Sequence, residues 1–298
     1  MGPLVTFVFP AHAGGLPLLR RSVLALDAQT ADPSAFEVVV AVDGEGLDEV
    51  ASALRQHAHR FSLRVVESQR TAGNEHLPHR NHARRAGCDA ARGEYLWVLD
   101  ADVIADRHAV DHLRAVADGR TRPVVLSPCL AEPRCSPAAW LRQTGPFVEH
   151  ADAASLMATA QSSPKVPWTS SAQLRRYRRG PPRSIWFGAL IEGQPVFPRA
   201  IYDALGGFDL RFLGYGGNKV SLVRQLTILD TQHGLVEVRL LTSCCFFHQP
   251  HDRDPLRFDE AHRQKNWALY NELVAGARRG DPWWMERVDA VRAATGRA

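Results

Sequence analysis

Two aspartates, Asp100 and Asp102, follow directly on an apolar run and are separated by a single alanine. In an extended chain, residues two apart direct their side chains to the same side. Two such carboxylates repel each other unless a cation neutralises them. Mg²⁺ and Mn²⁺ prefer oxygen ligands of this kind and are often held by few carboxylates together with substrate phosphates. The pair therefore predicts a divalent cation that bridges a diphosphate.

A simpler interpretation of the same residues stays open. Asp-x-Asp triplets are common, and a helical pattern follows this one along the chain. The segment could be a solvated turn between a strand and a helix, in which Asp102 or Asp106 caps the helix.

The pair lies at the end of one of several strands that alternate with helical patterns. Buried strands are predicted at residues 4–10, 36–43, 62–68 and 94–100, and amphipathic helical stretches separate them. This alternation predicts an α/β fold with a mostly parallel, doubly wound central sheet flanked by helices. In such sheets, ligands bind outside the carboxyl ends of the strands. Asp43 and the segment 10–12 lie at two further strand ends, so we expect them near the aspartate pair.

The pattern changes after Pro123. A further strand is predicted at 124–130, and the Pro-, Ser- and Arg-rich stretch 161–184 predicts a long surface loop. A strand-like run at 235–248, an amphipathic helix at about 259–277 and a last helix at 281–294 complete the chain.

Composition excludes several classes of protein. The chain has 298 residues, of which 45% are hydrophobic, and its formal net charge of +4 favours anionic partners in general. It shows neither zinc-finger spacing nor an RNP-type motif, which argues against a nucleic-acid binder. Five cysteines without a CxxC pair favour reduced thiols. With no signal-peptide pattern and no apolar window of the ~20 residues that span a bilayer, we expect a soluble cytoplasmic protein.

Four sequence blocks resemble those of family 2 glycosyltransferases with the GT-A fold, and they occur in that family's order. Residues 80–102 read RNHARRAGCDAARGEYLWVLDAD and resemble the ARN-x-G-x-x-x-A-x-G-E-Y-h-x-h-L-D-A-D block. Upstream blocks are TFVFPAHAGGLPLLRRSVLALDAQT and FEVVVAVDGEGLD. Downstream, DALGGFDLRFLGYGG resembles the galactosyltransferase-like acceptor-side block GGFDE-x-F-x-G-W-G-G-E-D. The likeness covers roughly residues 4–250.

The resemblance implies a bacterial-type, hexose-transferring glycosyltransferase that uses a nucleotide-sugar donor, with a UDP-sugar favoured. Carried over by position, Pro10, His12 and Asp43 line the nucleoside pocket, and Asp43 receives the base or the ribose. Arg80 and Asn81 lie near the nucleotide.

The same resemblance implies a site for Mn²⁺ or Mg²⁺. Asp102 ligates the metal, and Asp100 approaches the ribose, the metal or a water bound to the metal. His248 ends an apolar strand at the point where the family often places a metal-binding histidine. His251, three residues further on, is interpreted as an ordinary histidine.

The resemblance also divides the chain. Residues 1–130 are expected to form the nucleotide-sugar-binding half of the GT-A domain. Residues 131–255 form the acceptor-side half with its loop around 161–184, and residues 256–298 form a helical extension. The acceptor is a small molecule, a glycan or a peptide, no nucleic-acid partner is expected, and a homodimer is possible.

The sequence departs from the family pattern at two places. Gly44 stands where the family has the second Asp of D-D-G-S, and Asn218-Lys219 stand where inverting members carry the Glu-Asp that supplies the general base. An amide cannot accept the proton, and a lysine is normally protonated. Glu192 and Asp209 are the replacement bases that lie nearest in sequence.

Several explanations of the missing base stay open. A more nucleophilic acceptor, or transfer with retention of configuration, would not need this base. The chain could also be a catalytically impaired homologue that binds a sugar nucleotide without transfer. A nucleotidyltransferase is a further alternative, against which the lack of a basic, Gly-rich loop near the N-terminus counts.

Overall fold

The computed structural model describes residues 2–70, 79–144, 152–167, 194–214, 216–252 and 259–297. Within these ranges nine strands form one sheet. The strands are β1 (Val5–Ala11), β2 (Phe36–Asp43), β3 (Ser62–Ser68), β4 (Tyr95–Val98), β5 (Val103–Ile104), β6 (Val124–Pro133), β7 (Lys165–Pro167), β8 (Val196–Pro198) and β9 (Glu237–His248).

Helices alternate with the early strands and dominate the later part of the chain. Among the described residues they are α1 (Leu16–Ala25), α2 (Leu47–Arg55), α3 (Arg80–Ala90), α4 (Ala109–Ala117), α5 (Pro137–Thr144), α6 (Ala153–Ser162), α7 (Arg199–Ala204), α8 (Asn218–Ile228), α9 (Glu260–Arg279) and α10 (Pro282–Thr295). None of these helices combines the length and the apolar character that a bilayer crossing requires.

The sheet has a parallel half and a mixed half. Its order is β3-β2-β1-β4-β8-β6-β9-β5, and β7 pairs with β6. The strands β3, β2, β1 and β4 are parallel to one another. β8 runs antiparallel to both β4 and β6, β9 runs parallel to β6, and β5 runs antiparallel to β9. The predicted α/β class with a mostly parallel central sheet is confirmed.

Aromatic side chains join the two halves of the sheet in one core. The ring of Trp97 in β4 stacks on Phe7 in β1, with centroids 5.5 Å apart. On its other side Trp97 stacks on Phe246 in β9 at 5.0 Å. All three side chains are fully buried. Burial of these three rings helps to hold the late strand β9 in the same core as the early strands.

A polar cluster closes the amino end of the parallel strands. Glu37 in β2 is 1% exposed and accepts hydrogen bonds from Thr6 Oγ1 at 2.8 Å and from the backbone N–H of Arg92 at 2.5 Å. Arg64 in β3 and the guanidinium of Arg92 form ion pairs with the same carboxylate at 3.2 and 2.9 Å. Burial raises the pKa of Glu37, but the hydrogen bonds from Thr6 and Arg92 outweigh burial and hold that pKa below its usual value.

Some elements differ from the sequence prediction. Helix α3 ends at Ala90, three residues before Gly93. A Cβ at Gly93 would lie 2.5 Å from the backbone nitrogen of Thr6, so the chain needs glycine where it turns back against β1. The short strands β5, β7 and β8 and the helix α8 were not predicted, and β7 lies within the predicted loop 161–184. Most of the predicted loop 161–184 falls in residues 168–193, outside the described residues.

Candidate nucleotide and metal site

The ends of the parallel strands bring most of the predicted site residues to one edge of the sheet. β1 pairs with β2 up to Ala11 and Val42, and β2 pairs with β3 up to Asp43 and Ser68. Leu99, which follows β4, donates its backbone N–H to the carbonyl of Val8 at 2.9 Å. Asp100 and Asp102 therefore follow the carboxyl end of β4, beside the ends of β1 and β2.

Asp102 meets two histidines from the end of β9. Its Oδ2 lies 2.9 Å from His251 Nε2 and 3.5 Å from His248 Nε2. Each of the three residues offers one ligand atom, and these atoms all lie within 4.8 Å of one another. The predicted residues Asp102 and His248 thus come together, joined by His251, which the sequence analysis treated as an ordinary histidine.

Pairing between β5 and β9 sets this geometry. Val103, directly after Asp102, is the register partner of His248. Gln249, which follows His248, is fully buried and donates its backbone N–H to the carbonyl of Asp102 at 2.8 Å. The amide nitrogen of its side chain donates to Ser22 Oγ at 2.9 Å, and Ser22 in turn donates to the carbonyl of Ala101 at 2.9 Å. Gln249 and Ser22 therefore fix the aspartate segment against β9.

The donor set fits a divalent cation. Among the described residues, the Oδ1 atom of Asp102 is buried and has no hydrogen-bond partner, a costly arrangement that a metal ion would relieve. His251 Nδ1 lies 2.9 Å from the carbonyl oxygen of Asp252, which can only accept, so Nδ1 carries the proton. Without a cation, Nε2 also carries a proton, which it donates to Asp102 Oδ2 at 2.9 Å; a bound cation would take the place of that proton.

Charge around Asp102 keeps it ionised. Burial raises the pKa of Asp102, but hydrogen bonds from His248 and His251, together with the positive charge of His248, outweigh burial and hold that pKa well below its usual range. A ligating carboxylate must be ionised, so this environment suits metal binding.

Asp100 has different neighbours. Its Oδ1 accepts from Arg84 Nη2 at 3.2 Å, and its Oδ2 lies 3.3 Å from Lys219 Nζ and accepts from Gln194 Nε2 at 3.0 Å. Burial raises the pKa of Asp100, but the charges of Lys219 and Arg84 outweigh burial and hold that pKa well below its usual range. Burial lowers the pKa of Lys219, and Asp100 opposes this effect. Both oxygens of Asp100 are thus occupied by protein donors, and Asp100 is not in the three-residue cluster.

Gln194, which lies just before β8, also holds Asp100 in place. Its side-chain Oε1 accepts from the backbone N–H of Asp100 at 2.8 Å, and its carbonyl accepts from Trp97 Nε1 at 2.7 Å. Its φ of 58° is the one positive φ of a non-glycine residue within the described ranges. Side chains other than glycine avoid this left-handed region, and such strain is typical of functional sites.

At the end of β2, Asp43 is held by Arg70 and by the start of α3. Arg70 Nε donates to Asp43 Oδ1 at 2.9 Å, and the backbone N–H of His79 donates to Oδ2 at 2.7 Å. Gly44 has a φ of 81°, and a Cβ there would collide with the guanidinium of Arg70. The left-handed backbone at Gly44 disfavours a side chain at the position of the family's second aspartate, and the flexible end of Arg70 occupies the space there.

The other residues predicted to lie near the nucleotide are at the same edge of the sheet, but their burial and contacts differ. Pro10 and His12 are half-buried at the end of β1, where the ring of His12 lies against the turn that follows. Arg80 is half-buried at the start of α3. Asn81 is fully buried and donates to the carbonyl of Asp209 at 3.0 Å. The nucleoside-pocket assignments of all four residues stay predictions.

Of the two candidate general bases, the structure describes Asp209 but not Glu192. Asp209 forms an ion pair with Arg211, with Oδ2 and Nη2 2.6 Å apart. Burial raises the pKa of Asp209, but the hydrogen bonds from Arg211 outweigh burial and lower it. A lowered pKa weakens the proton affinity that a general base needs. Glu192 lies outside the described residues, so its role stays a prediction.

Sequence reasoning assigned no role to Arg70, Arg84 and Gln194, and it assigned no contact to Lys219. For Arg84 a signal existed, since a cation four residues after Arg80 lies on the same face of α3. For Gln194 the sequence gives no comparable signal.

The family model described as Glycosyl transferase family 2 matches residues 6–151. This part of the chain belongs to glycosyl transferase family 2. The family 2 domain contributes Asp43, Asp100 and Asp102 to the site, whereas His248 and His251 lie beyond its matched end. The resemblance found in the sequence is therefore confirmed at the level of the family for residues 6–151, whereas the likeness of the downstream block stays a prediction.

Two curated relatives share this domain. Validoxylamine A glucosyltransferases from two subspecies of Streptomyces hygroscopicus, limoneus and jinggangensis, are 28% and 27% identical to the chain over 227 residues, which is 74% of its length. These alignments cover 47% and 50% of the relatives. The chain thus spans about half the length of the curated relatives it matches.

Two solved structures show the same fold. Residues 1–349 of S. aureus TarS, in complex with UDP, match 99% of this chain and 70% of that chain, with a TM-score of 0.58 and 13% identity. The mannosyltransferase PcManGT from Pyrobaculum calidifontis, in complex with GDP-Man and Mn²⁺, matches 99% of this chain and 76% of that chain, with a TM-score of 0.51 and 16% identity. The family 2 domain and its neighbours in the sheet therefore have the GT-A fold.

Proposed function

We propose that the chain is a Mn²⁺-dependent glycosyltransferase that moves a hexose from a nucleotide-sugar donor to a small-molecule, glycan or peptide acceptor. The observation that carries this proposal is the cluster of Asp102, His248 and His251 at the carboxyl edge of a family 2 domain. Ligands of parallel sheets bind at this edge, and a diphosphate there would meet the cation held by these residues.

The donor set favours Mn²⁺ over Mg²⁺. Two imidazoles and one carboxylate form the cluster, and Mg²⁺ is usually held by oxygen ligands alone, whereas imidazole suits softer divalent ions. When bound, the cation would act as a Lewis acid that offsets the charge on the departing diphosphate. Glu132 Oε1 lies 3.9 Å from His248 Nδ1 and would help to orient that ring toward the cation.

The nucleoside would lie beside Asp43, between the ends of β1 and β2. We favour a UDP-sugar as the donor. One fold neighbour, TarS, was solved with UDP and with UDP-GlcNAc, and the curated relatives are named glucosyltransferases. PcManGT was solved with GDP-Man, so GDP is the competing nucleotide that an experiment has to include.

The test is calorimetric titration of UDP, GDP and dTDP into the wild type, each in Mn²⁺, in Mg²⁺ and in EDTA. We expect UDP to bind most tightly in Mn²⁺. In Asp102→Asn the gain in affinity from Mn²⁺, about tenfold or more in the wild type, should disappear because one ligand is lost. Asp89→Asn is the matched control, because this carboxylate is exposed on α3 and pairs with Arg85.

Release of UDP from UDP-glucose without acceptor measures turnover separately from binding. Slow Mn²⁺-dependent hydrolysis supports an active transferase. The proposal is wrong if no nucleotide binds the wild type in Mn²⁺, or if Asp102→Asn retains the full Mn²⁺ effect.

A further inference from the structure

Lys219 lies at the start of α8, directed toward the site by a glycine turn. Gly217 precedes the helix with a φ of 69°, and a Cβ at that position would lie 2.8 Å from the ring of Phe212. Only glycine fits this turn, which fixes the first residues of α8 against the loop before it. The sequence thus holds a lysine, by backbone geometry, where the resembling family has a carboxylate.

The ammonium group of Lys219 has spare donor capacity. Its side chain is 11% exposed, and within the described residues its hydrogen-bond acceptor is Asp100 Oδ2, at 3.3 Å. An ammonium group carries three N–H donors. The ammonium group of Lys219 uses one of these N–H donors on Asp100, so two donors are left for a ligand. N–H donors without an acceptor in a largely buried place cost free energy.

The charge balance around Asp100 points to an anionic ligand. Arg84 binds one oxygen of Asp100 and Lys219 the other, so two cations flank one carboxylate. The neighbouring Asp102 already has its own pair of histidines. The excess positive charge therefore lies beside Asp100, and the proposed metal lies beside Asp102. A diphosphate carries negative charge on two adjacent groups, so one phosphate could bind the positive charge beside Asp100 and the other the metal beside Asp102.

We propose that Lys219 binds the diphosphate of the donor, with Asp100 as the counter-ion that positions the ammonium group. This inference rests on the proposed function, since it assigns a residue to the same donor site. It has two consequences. Part of the diphosphate affinity persists without a divalent cation, and Asp100 supports Lys219 instead of ligating the metal.

The experiment compares UDP, inorganic pyrophosphate and uridine, titrated in EDTA and in Mn²⁺. We expect Lys219→Met to weaken binding of UDP and pyrophosphate in EDTA by about 10- to 100-fold, the size of a charge-assisted contact. Uridine affinity should not change, because uridine lacks phosphate. Lys219→Arg should retain UDP affinity within about threefold. Lys265→Met, an exposed lysine on α9, is the matched control and should bind like the wild type.

A second variant tests the role of the counter-ion. Asp100→Asn removes a negative charge between two cations but keeps a side-chain oxygen that can accept from Lys219 and hold it in place. UDP affinity in EDTA should therefore stay the same or increase, and the gain from Mn²⁺ should persist. If Asp100→Asn loses that gain as Asp102→Asn does, Asp100 is a metal ligand and the assignment is overturned.

The remaining outcomes separate this inference from the proposed function. If Lys219→Met binds UDP in EDTA within threefold of the wild type, the role of the lysine is wrong although the function stands. Equal losses of uridine and UDP affinity would show that Lys219 only supports the fold, which also overturns the inference. If the wild type binds no nucleotide in either condition, the proposed function itself fails.

Discussion

Two carboxylates, the buried Glu37 and the half-buried Asp102, lie at opposite ends of the parallel strands and have opposite surroundings. Glu37 is 1% exposed, and a hydroxyl, a backbone N–H and two guanidinium groups satisfy both of its oxygens. Asp102 has one oxygen beside two imidazoles and one buried oxygen with no donor among the described residues. A fully satisfied carboxylate builds the fold, whereas an incompletely satisfied one is available to a ligand.

The largest expected difference is in stability. Glu37→Gln leaves Arg64 and Arg92 without a counter-charge and should lower the free energy of unfolding by roughly 2–3 kcal/mol, below the ~3–5 kcal/mol of a fully buried pair because both arginines reach water. Asp102→Asn should change it by less than about 1 kcal/mol, because Asp102 is half-buried and its Oδ1 has no hydrogen bond to lose among the described residues. Urea unfolding measures both.

The matched control for this comparison is Glu67→Gln, which neutralises an exposed carboxylate on β3. It should leave the free energy of unfolding within about 0.5 kcal/mol of the wild type. Equal destabilisation by Glu37→Gln and Asp102→Asn would contradict the distinction between the two carboxylates.

A smaller effect is expected at the two histidines. His251→Ala and His248→Ala should each weaken Mn²⁺ binding in the presence of UDP by about tenfold or more, equivalent to ~1.4 kcal/mol, because each removes one ligand atom. Electron paramagnetic resonance of free Mn²⁺ measures this affinity. His112→Ala, on α4, is the control. If only His248→Ala reduced the affinity, His251 would be no ligand.

The smallest effect is on the pH dependence of stability. The pKa of Glu37 is lowered in the folded state, so its contribution is fully present above its unfolded pKa of about 4.3 and is lost as pH falls through the folded value. The difference in unfolding free energy between the wild type and Glu37→Gln should therefore shrink between about pH 6 and pH 3. A constant difference over this range would show that the charge of Glu37 contributes nothing.

The sequence predicts the parallel half of the sheet well because three of its strands, β1, β2 and β4, are mostly apolar. Residues 36–43 were predicted as a strand with the observed bounds, and every residue of β2 is buried. β8 could not be found in the same way, since three residues carry no periodicity and only its insertion between β4 and β6 makes it a strand.

Site residues could be predicted where they follow a single apolar strand. They could not be predicted where the packing of several elements brings them together. Asp102 and His248 each follow an apolar run, and both were found. His251 lies outside any strand, and only the turn after β9 brings it to Asp102. Likewise, the sequence places Arg84 on the same face of α3 as Arg80, but only the packing of α3 shows that Arg84 contacts Asp100.

Gln249 has a consequence for the order of events during folding. It joins the last strand of the sheet to Ser22, which lies 227 residues earlier in the chain. Contacts of such long sequence separation form slowly, since a large loop must close first. Both histidines are adjacent to this contact, so a growing or refolding chain acquires Asp102 long before its partners. The amount of cation bound during refolding would therefore measure the fraction of molecules in which β9 has joined the sheet.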